Sequence, residues 1–157
     1  MRHIKTFYCF FVIGLLLASI ISPAQVITPT AAAPSEDSLL TVYILPGVRK
    51  LEFRKVDTVQ LTILAGNVKL KQGTSLFYCD SCVINNSTKT FEAWGKVHIN
   101  DADTVNIYSN HLRYLIDKRL AFLDGAVRLT DGKGTLTTPD LEYDMTTNIG
   151  IYKHGGK

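Results

Sequence analysis

Cysteine is scarce in this sequence, and an excess of charge of either sign is scarcer. Of three cysteines in 157 residues, Cys9 lies in an N-terminal apolar run, which leaves Cys79 and Cys82 for the rest of the chain. Two cysteines cannot complete a four-thiolate zinc site. His98, His111 and His154 are widely separated and would have to converge from different parts of the chain to make a metal site. With Arg2 and Lys5 set aside, fifteen Lys and Arg face fourteen Asp and Glu. That balance supplies no basic surface for nucleic acid. The chain also lacks a nucleophile elbow and a phosphate-binding glycine loop,. These absences point to a non-enzymatic protein without metal or cofactor.

Long apolar runs are absent too, with one exception. Arg2 and Lys5 precede FYCFFVIGLLLASII at residues 7–21, and Ser22, Pro23 and Ala24 supply small residues before Gln25. Residues 1–24 therefore read as an export signal peptide. Fifteen apolar residues are short for a membrane span of roughly 20; an uncleaved anchor in the inner membrane, facing the periplasm, is the competing reading. Cys9 sits at the front of the run, which argues against a lipid-modified cysteine at the cleavage site. Residues 25–38, containing VITPTAAAPSEDS, have the composition of a flexible linker,. The ordered domain is expected over 39–157.

That domain carries no sustained helical periodicity. What is present is alternation. In FEAWGKVHI, Phe91, Ala93, Gly95, Val97 and Ile99 share one face, with Glu92, Trp94, Lys96 and His98 opposite. AFLDGAVRL sets Ala121, Leu123, Gly125, Val127 and Leu129 against Phe122, Asp124, Ala126 and Arg128. Alternation of this kind makes strands with one apolar face, and the fold class is all-β. Turn signals fall at regular intervals: KQG, NDAD and DGKG in one set, NNSTK, IDKR and MTTN in a second set between them,.

The chain also repeats itself. AGNVKL, WGKVHI and DGAVRL place Gly66, Gly95 and Gly125 at steps of 29 and 30 residues, and Val68, Val97 and Val127 keep the same step. Tyr78 matches Tyr108, and Leu112-Arg113-Tyr114 matches Leu141-Glu142-Tyr143. Repeats of this length are stacked units that cannot bury an apolar face alone. A glycine inside every other strand, at one level, predicts a bend or bulge at that level. The expected architecture is a bent sheet with the alternate apolar residues inside. Gly155 begins what looks like a fourth unit, so an open strand edge or a chain truncated relative to longer ones is expected there,.

These repeated elements, with YCDS, the DT of DADTVNIY, LRY and LEYD, resemble the OstA-like (organic solvent tolerance) family over roughly residues 48–156. That family includes periplasmic lipopolysaccharide-transport proteins and the N-terminal domain of the outer-membrane lipopolysaccharide assembly protein. The resemblance implies a β-jellyroll whose apolar groove shields the acyl chains of lipopolysaccharide or a related glycolipid. It also implies edge-to-edge pairing with other transport proteins or a second copy, in the periplasm or at the outer membrane. The lining would be Val68, Leu70, Ala93, Val97, Ile99, Val105, Ile107, Leu123, Val127 and Leu129. The alternative is a structural or assembly module whose same residues close into a packed core and which acts only through its edges.

CDSC at residues 79–82 is the one motif that suggests redox chemistry,. In an extended strand, positions three apart point to opposite faces with Cα atoms about 10 Å apart, beyond the roughly 7 Å a disulfide spans. The pair is expected to be two free thiols; only a local bend would let it close. Asp101 and Asp103 are expected to cap backbone amides in a turn, and Trp94 and Phe122 to face outward.

Overall fold

Strands long enough to carry eleven or more residues span about 36 Å when straight. Among the described residues no helix or second sheet covers their apolar face, so the sheet has to cover itself. The computed structural model describes residues 41–157; the signal and linker expected over 1–38 lie outside the described residues.

Among the described residues nine antiparallel strands follow in chain order: β1 Tyr43–Ile44, β2 Lys50–Val56, β3 Val59–Gln72, β4 Ser75–Asn85, β5 Thr90–Asp101, β6 Val105–Leu115, β7 Leu120–Thr130, β8 Thr135–Asp144 and β9 Ile149–Ile151. From β3 onward each strand pairs with the next, and both β1 and β2 pair with β3. The predicted turn segments lie at the hairpin ends.

Each long odd strand carries one extra residue at mid-length. Pairing slips between Ala65 and Val68, between Trp94 and Val97, and between Asp124 and Val127. The inserted pairs are Gly66 and Asn67, Gly95 and Lys96, Gly125 and Ala126, and all six residues have positive φ. Two left-handed residues in succession turn the strand sharply, a conformation glycine reaches without steric cost. Space also demands glycine. A Cβ on Gly95 would stand 2.6 Å from Asp80 Oδ2, and one on Gly125 would stand 2.9 Å from Asn110 Cβ. The bends line up across the stack and fold the sheet so that its two halves face each other. The bent sheet expected from the glycine period is the observed fold.

The even strands bend differently. Opposite each bulge, β4, β6 and β8 place two outward residues in succession, so positions three apart both point inward. Cys79 and Cys82, Ser109 and Leu112, Thr138 and Leu141 are all buried. Two of these bends carry a clamp: Ser109 Oγ donates to the His111 carbonyl at 2.9 Å, and Thr138 Oγ to the Asp140 carbonyl at 3.0 Å.

The outer face is built from cross-strand pairs. Tyr78 lies opposite His98, His98 opposite Tyr108, and Tyr108 opposite Arg128. Their rings stack at 5.3 and 4.5 Å, and the Arg128 guanidinium sits 4.3 Å from the Tyr108 centroid. Such pairs contribute roughly 0.2–1 kcal/mol each. This ladder, rather than plain solvation, accounts for His98.

Candidate functional site

The folded sheet gathers all ten predicted lining residues on its inner face. Val68, Leu70, Ala93, Val97, Ile99, Ile107, Leu123 and Val127 are at most 2% exposed, and Val105 and Leu129 pack against them half-buried. The interior is larger than those ten. Leu64, Phe77, Phe91, Leu112, Tyr114, Leu141 and Tyr143 belong to the same cluster. The signal for several of them was available: Leu112-x-Tyr114 and Leu141-x-Tyr143 repeat in step, and a repeated apolar pair marks a buried face. Phe77, Phe91 and Tyr114 form an aromatic group with centroids 4.9 to 5.2 Å apart in the middle of the interior. There the two halves of the sheet close on each other.

At the first edge the same inner face opens. Residues directly opposite across an antiparallel pair share a face. Ile44 is opposite Leu70, Leu51 opposite Leu64 and Phe53 opposite Thr62, all three partners being buried. Yet Leu51 is 50% and Phe53 75% exposed. The apolar interior therefore has a mouth, lined by Ile44, Leu51 and Phe53. At the opposite end the Tyr152 ring lies close against Gly156, where an added Cβ would stand 2.8 Å from it and 2.8 Å from Leu136.

Along one side, the strand ends from the two halves meet in a polar seam. Asp101 Oδ1 accepts from Ser75 Oγ at 2.6 Å, and its Oδ2 from the Tyr143 hydroxyl at 3.3 Å. Gln72 accepts from the Tyr114 hydroxyl and donates to the Ile116 carbonyl at 3.0 Å. Arg119 donates to Ser75 Oγ at 3.4 Å, while its Nε is buried without a partner. Several of these contacts join residues 42 or 44 apart, one and a half repeats. Burial pushes the Tyr114 and Tyr143 hydroxyls well above their ordinary range, and for Tyr143 the Asp101 carboxylate adds to the effect. Asp101 is thus not the turn cap expected: its side chain is 3% exposed and holds the two halves together. Asp103 lies in the exposed turn.

The remaining sequence candidates stay apart. His111 bonds Asp124 at 2.7 Å beneath Trp94, and His154 bonds Asp140 at 2.8 Å. Among the described residues no group of three or more His, Cys, Asp or Glu could hold a metal ion. Cys79 and Cys82 are free and buried, and the expectation that they face opposite ways is corrected by the β4 bend.

An all-β, curled antiparallel sheet with an apolar inside defines the class as a β-jellyroll. A family model described as OstA-like protein matches residues 41–157, and the chain belongs to that family. Among solved structures it is similar to LptH from Pseudomonas aeruginosa, described as the LptA-homologous periplasmic component of the conserved lipopolysaccharide transport device. The TM-score is 0.63 at 12% identity, covering 77% of this chain and 87% of that one. No curated protein matches the chain.

Proposed function

We propose that this chain is a non-enzymatic carrier in the periplasm that takes the acyl chains of lipopolysaccharide or a related glycolipid between the halves of its folded sheet. The observation that carries this reading is the continuity of the inner face from a closed interior to an exposed apolar mouth at Ile44, Leu51 and Phe53. An acyl chain in water costs about 0.8 kcal/mol per CH₂, which such an interior removes. Because apolar contact is non-directional, a chain inside can slide from unit to unit. The seam suits this use. Hydrogen-bonded groups freed by its opening exchange their partners for water at small net cost, about 0.5–1.5 kcal/mol per bond.

LptH, whose fold this chain shares, is a component of the lipopolysaccharide transport device. Among the described residues β2 and β9 each have one strand partner. Their free edges would pair with a second copy or another transport protein, prolonging the interior. Association with the outer membrane belongs to the same proposal.

The closed middle of the interior favours a second reading, a structural module whose core never admits lipid. Photo-crosslinking in cells separates the two. A photoreactive residue at Phe53, Val97 or Val127 should capture lipopolysaccharide, and one at the outward Arg113 should not. Folded, exported protein that captures no lipid at any inward position refutes the carrier and leaves the edges as the working surface.

A further inference from the structure

The two cysteines occupy positions whose counterparts in the other repeats do a defined job. Cys79, Ser109 and Thr138 pair with Val68, Val97 and Val127, the first residues past each bulge, so Cys79 corresponds to Ser109 and Thr138, and Cys82 to Leu112 and Leu141. At the first position the other two bends use a hydroxyl that donates to a carbonyl two residues on. A thiol is a poor substitute for that hydroxyl, since S–H is a weak donor. At the second position the other two strands use leucine, a larger apolar group. Both positions in one repeat thus depart from the pattern, and both depart to cysteine. The bend brings the pair to one face, where they are 6% and 0% exposed.

We propose that Cys79 and Cys82 form an intrastrand disulfide that clamps the first bend in place of the hydroxyl clamp used by the other two. The oxidant is a protein disulfide of the exported compartment. One thiolate of the pair attacks that disulfide, forming a mixed disulfide and releasing one oxidant thiol. The second thiolate attacks the mixed disulfide and expels the other oxidant thiol. The pair loses two protons and two electrons, and the oxidant gains them as a dithiol. Timing follows from burial. In the closed fold Cys79 beside it, and then burial, push the Cys82 thiol up, and no oxidant reaches either sulfur. Exchange therefore precedes closure of the sheet. The proposal rests on the export reading for its cellular setting, but not for its geometry.

The experiment traps thiols with N-ethylmaleimide in two samples of the full chain, followed by denaturation and mass measurement. One sample is exported protein taken from cells. The other is purified protein unfolded under reduction, then refolded in a mixture of oxidised and reduced glutathione. Both should lack adducts at Cys79 and Cys82 and be lighter by two hydrogens. Reduction should then lower the melting temperature of the parent. A variant carrying Cys79→Thr and Cys82→Leu, which restores the residues of β8, should melt at the same temperature with or without reductant. Adducts at both positions after refolding overturn the geometry. Adducts only in the exported sample overturn the cellular proposal and, with it, the assignment to an oxidising compartment.

Discussion

Replacing Gly95 by alanine tests the claim that the bend, and not merely a preference for small residues, fixes the glycine row. Two costs add. The backbone sits at φ +73°, where an L-residue loses roughly 1–2 kcal/mol. The new methyl would also stand 2.6 Å from Asp80 Oδ2 and 3.0 Å from Asp80 Cβ. The carboxylate oxygen can swing away, but the Cβ is tied to the β4 backbone, so a contact cost of about 1 kcal/mol remains, at the low end for overpacking. The expected loss is about 2–3 kcal/mol, or roughly 8–12 °C in melting temperature for a domain of this size. Gly132 supplies the control: it has φ +81° with nothing within 4 Å of an added Cβ. Gly132→Ala should cost only the backbone share. Circular dichroism melts and urea titrations of both variants measure the difference directly. Asp80→Ala in the Gly95→Ala background should recover part of the contact share, since the oxygen and Cγ are removed. Equal melting temperatures for the Gly95 and Gly132 variants would refute the close approach of β4 as a reason for glycine.

Two further predictions concern the seam. Asp101→Ala leaves the Ser75 hydroxyl without its acceptor and the Tyr143 hydroxyl with Asn148 Oδ1 alone, at 3.2 Å, and should cost about 1–3 kcal/mol in urea unfolding, with Asp101→Asn recovering a part; a loss below 0.5 kcal/mol would show that the seam does not hold the halves together. Alkali should open the same seam. Tyr114 and Tyr143 hold their protons in the fold above the ordinary tyrosine value of 10.0, so their stabilisation is complete below pH 10 and is lost as pH climbs from 10 through the raised folded values. Tyr114→Phe should therefore flatten the decline in stability above pH 10, and a profile parallel to the parent's would exclude Tyr114 as a contributor.

How far the fold was legible depended on which strand was being read. In β5 and β7 the bulge adds one residue, and the apolar alternation runs through it unbroken: Ala93 to Val97 and Leu123 to Val127 keep the same parity. The inner faces of these strands could be read directly. In β4, β6 and β8 the bend places two outward residues together and parity flips, so a rule of strict alternation sends Cys82, Leu112 and Leu141 the wrong way. The repeat itself held the remedy, because Cys82 falls in a leucine slot once the units are aligned. The seam was not readable at all. Except for Ser75 and Asp101, which pair across β4 and β5, its partners are one and a half repeats apart, and Gln72, Ser75, Asp101 and Arg119 all sit beside turns, where polar residues ordinarily meet water. Only the angle through which the sheet folds brings them together.

That placement bears on how such a molecule could both close and admit a lipid. An interior sealed by interdigitated apolar side chains on every side would have to hydrate them to open, at about 25 cal/mol per Å². Here the bent side is covalently continuous through the strands, so the halves can separate only along the opposite side, where Asp101, Ser75, Tyr143, Gln72 and Tyr114 meet. Water replaces most of what those groups lose. Opening from the mouth at Phe53 would then proceed one seam contact at a time. An advancing acyl chain would cover the apolar surface of each unit as that unit parts. The buried Arg119 Nε, left without a partner in the closed state, would gain one if the seam were wetted, which would lower the cost of the step further. On the carrier reading proposed above, the polar character of the seam and the apolar character of the lining are two requirements of one reversible enclosure.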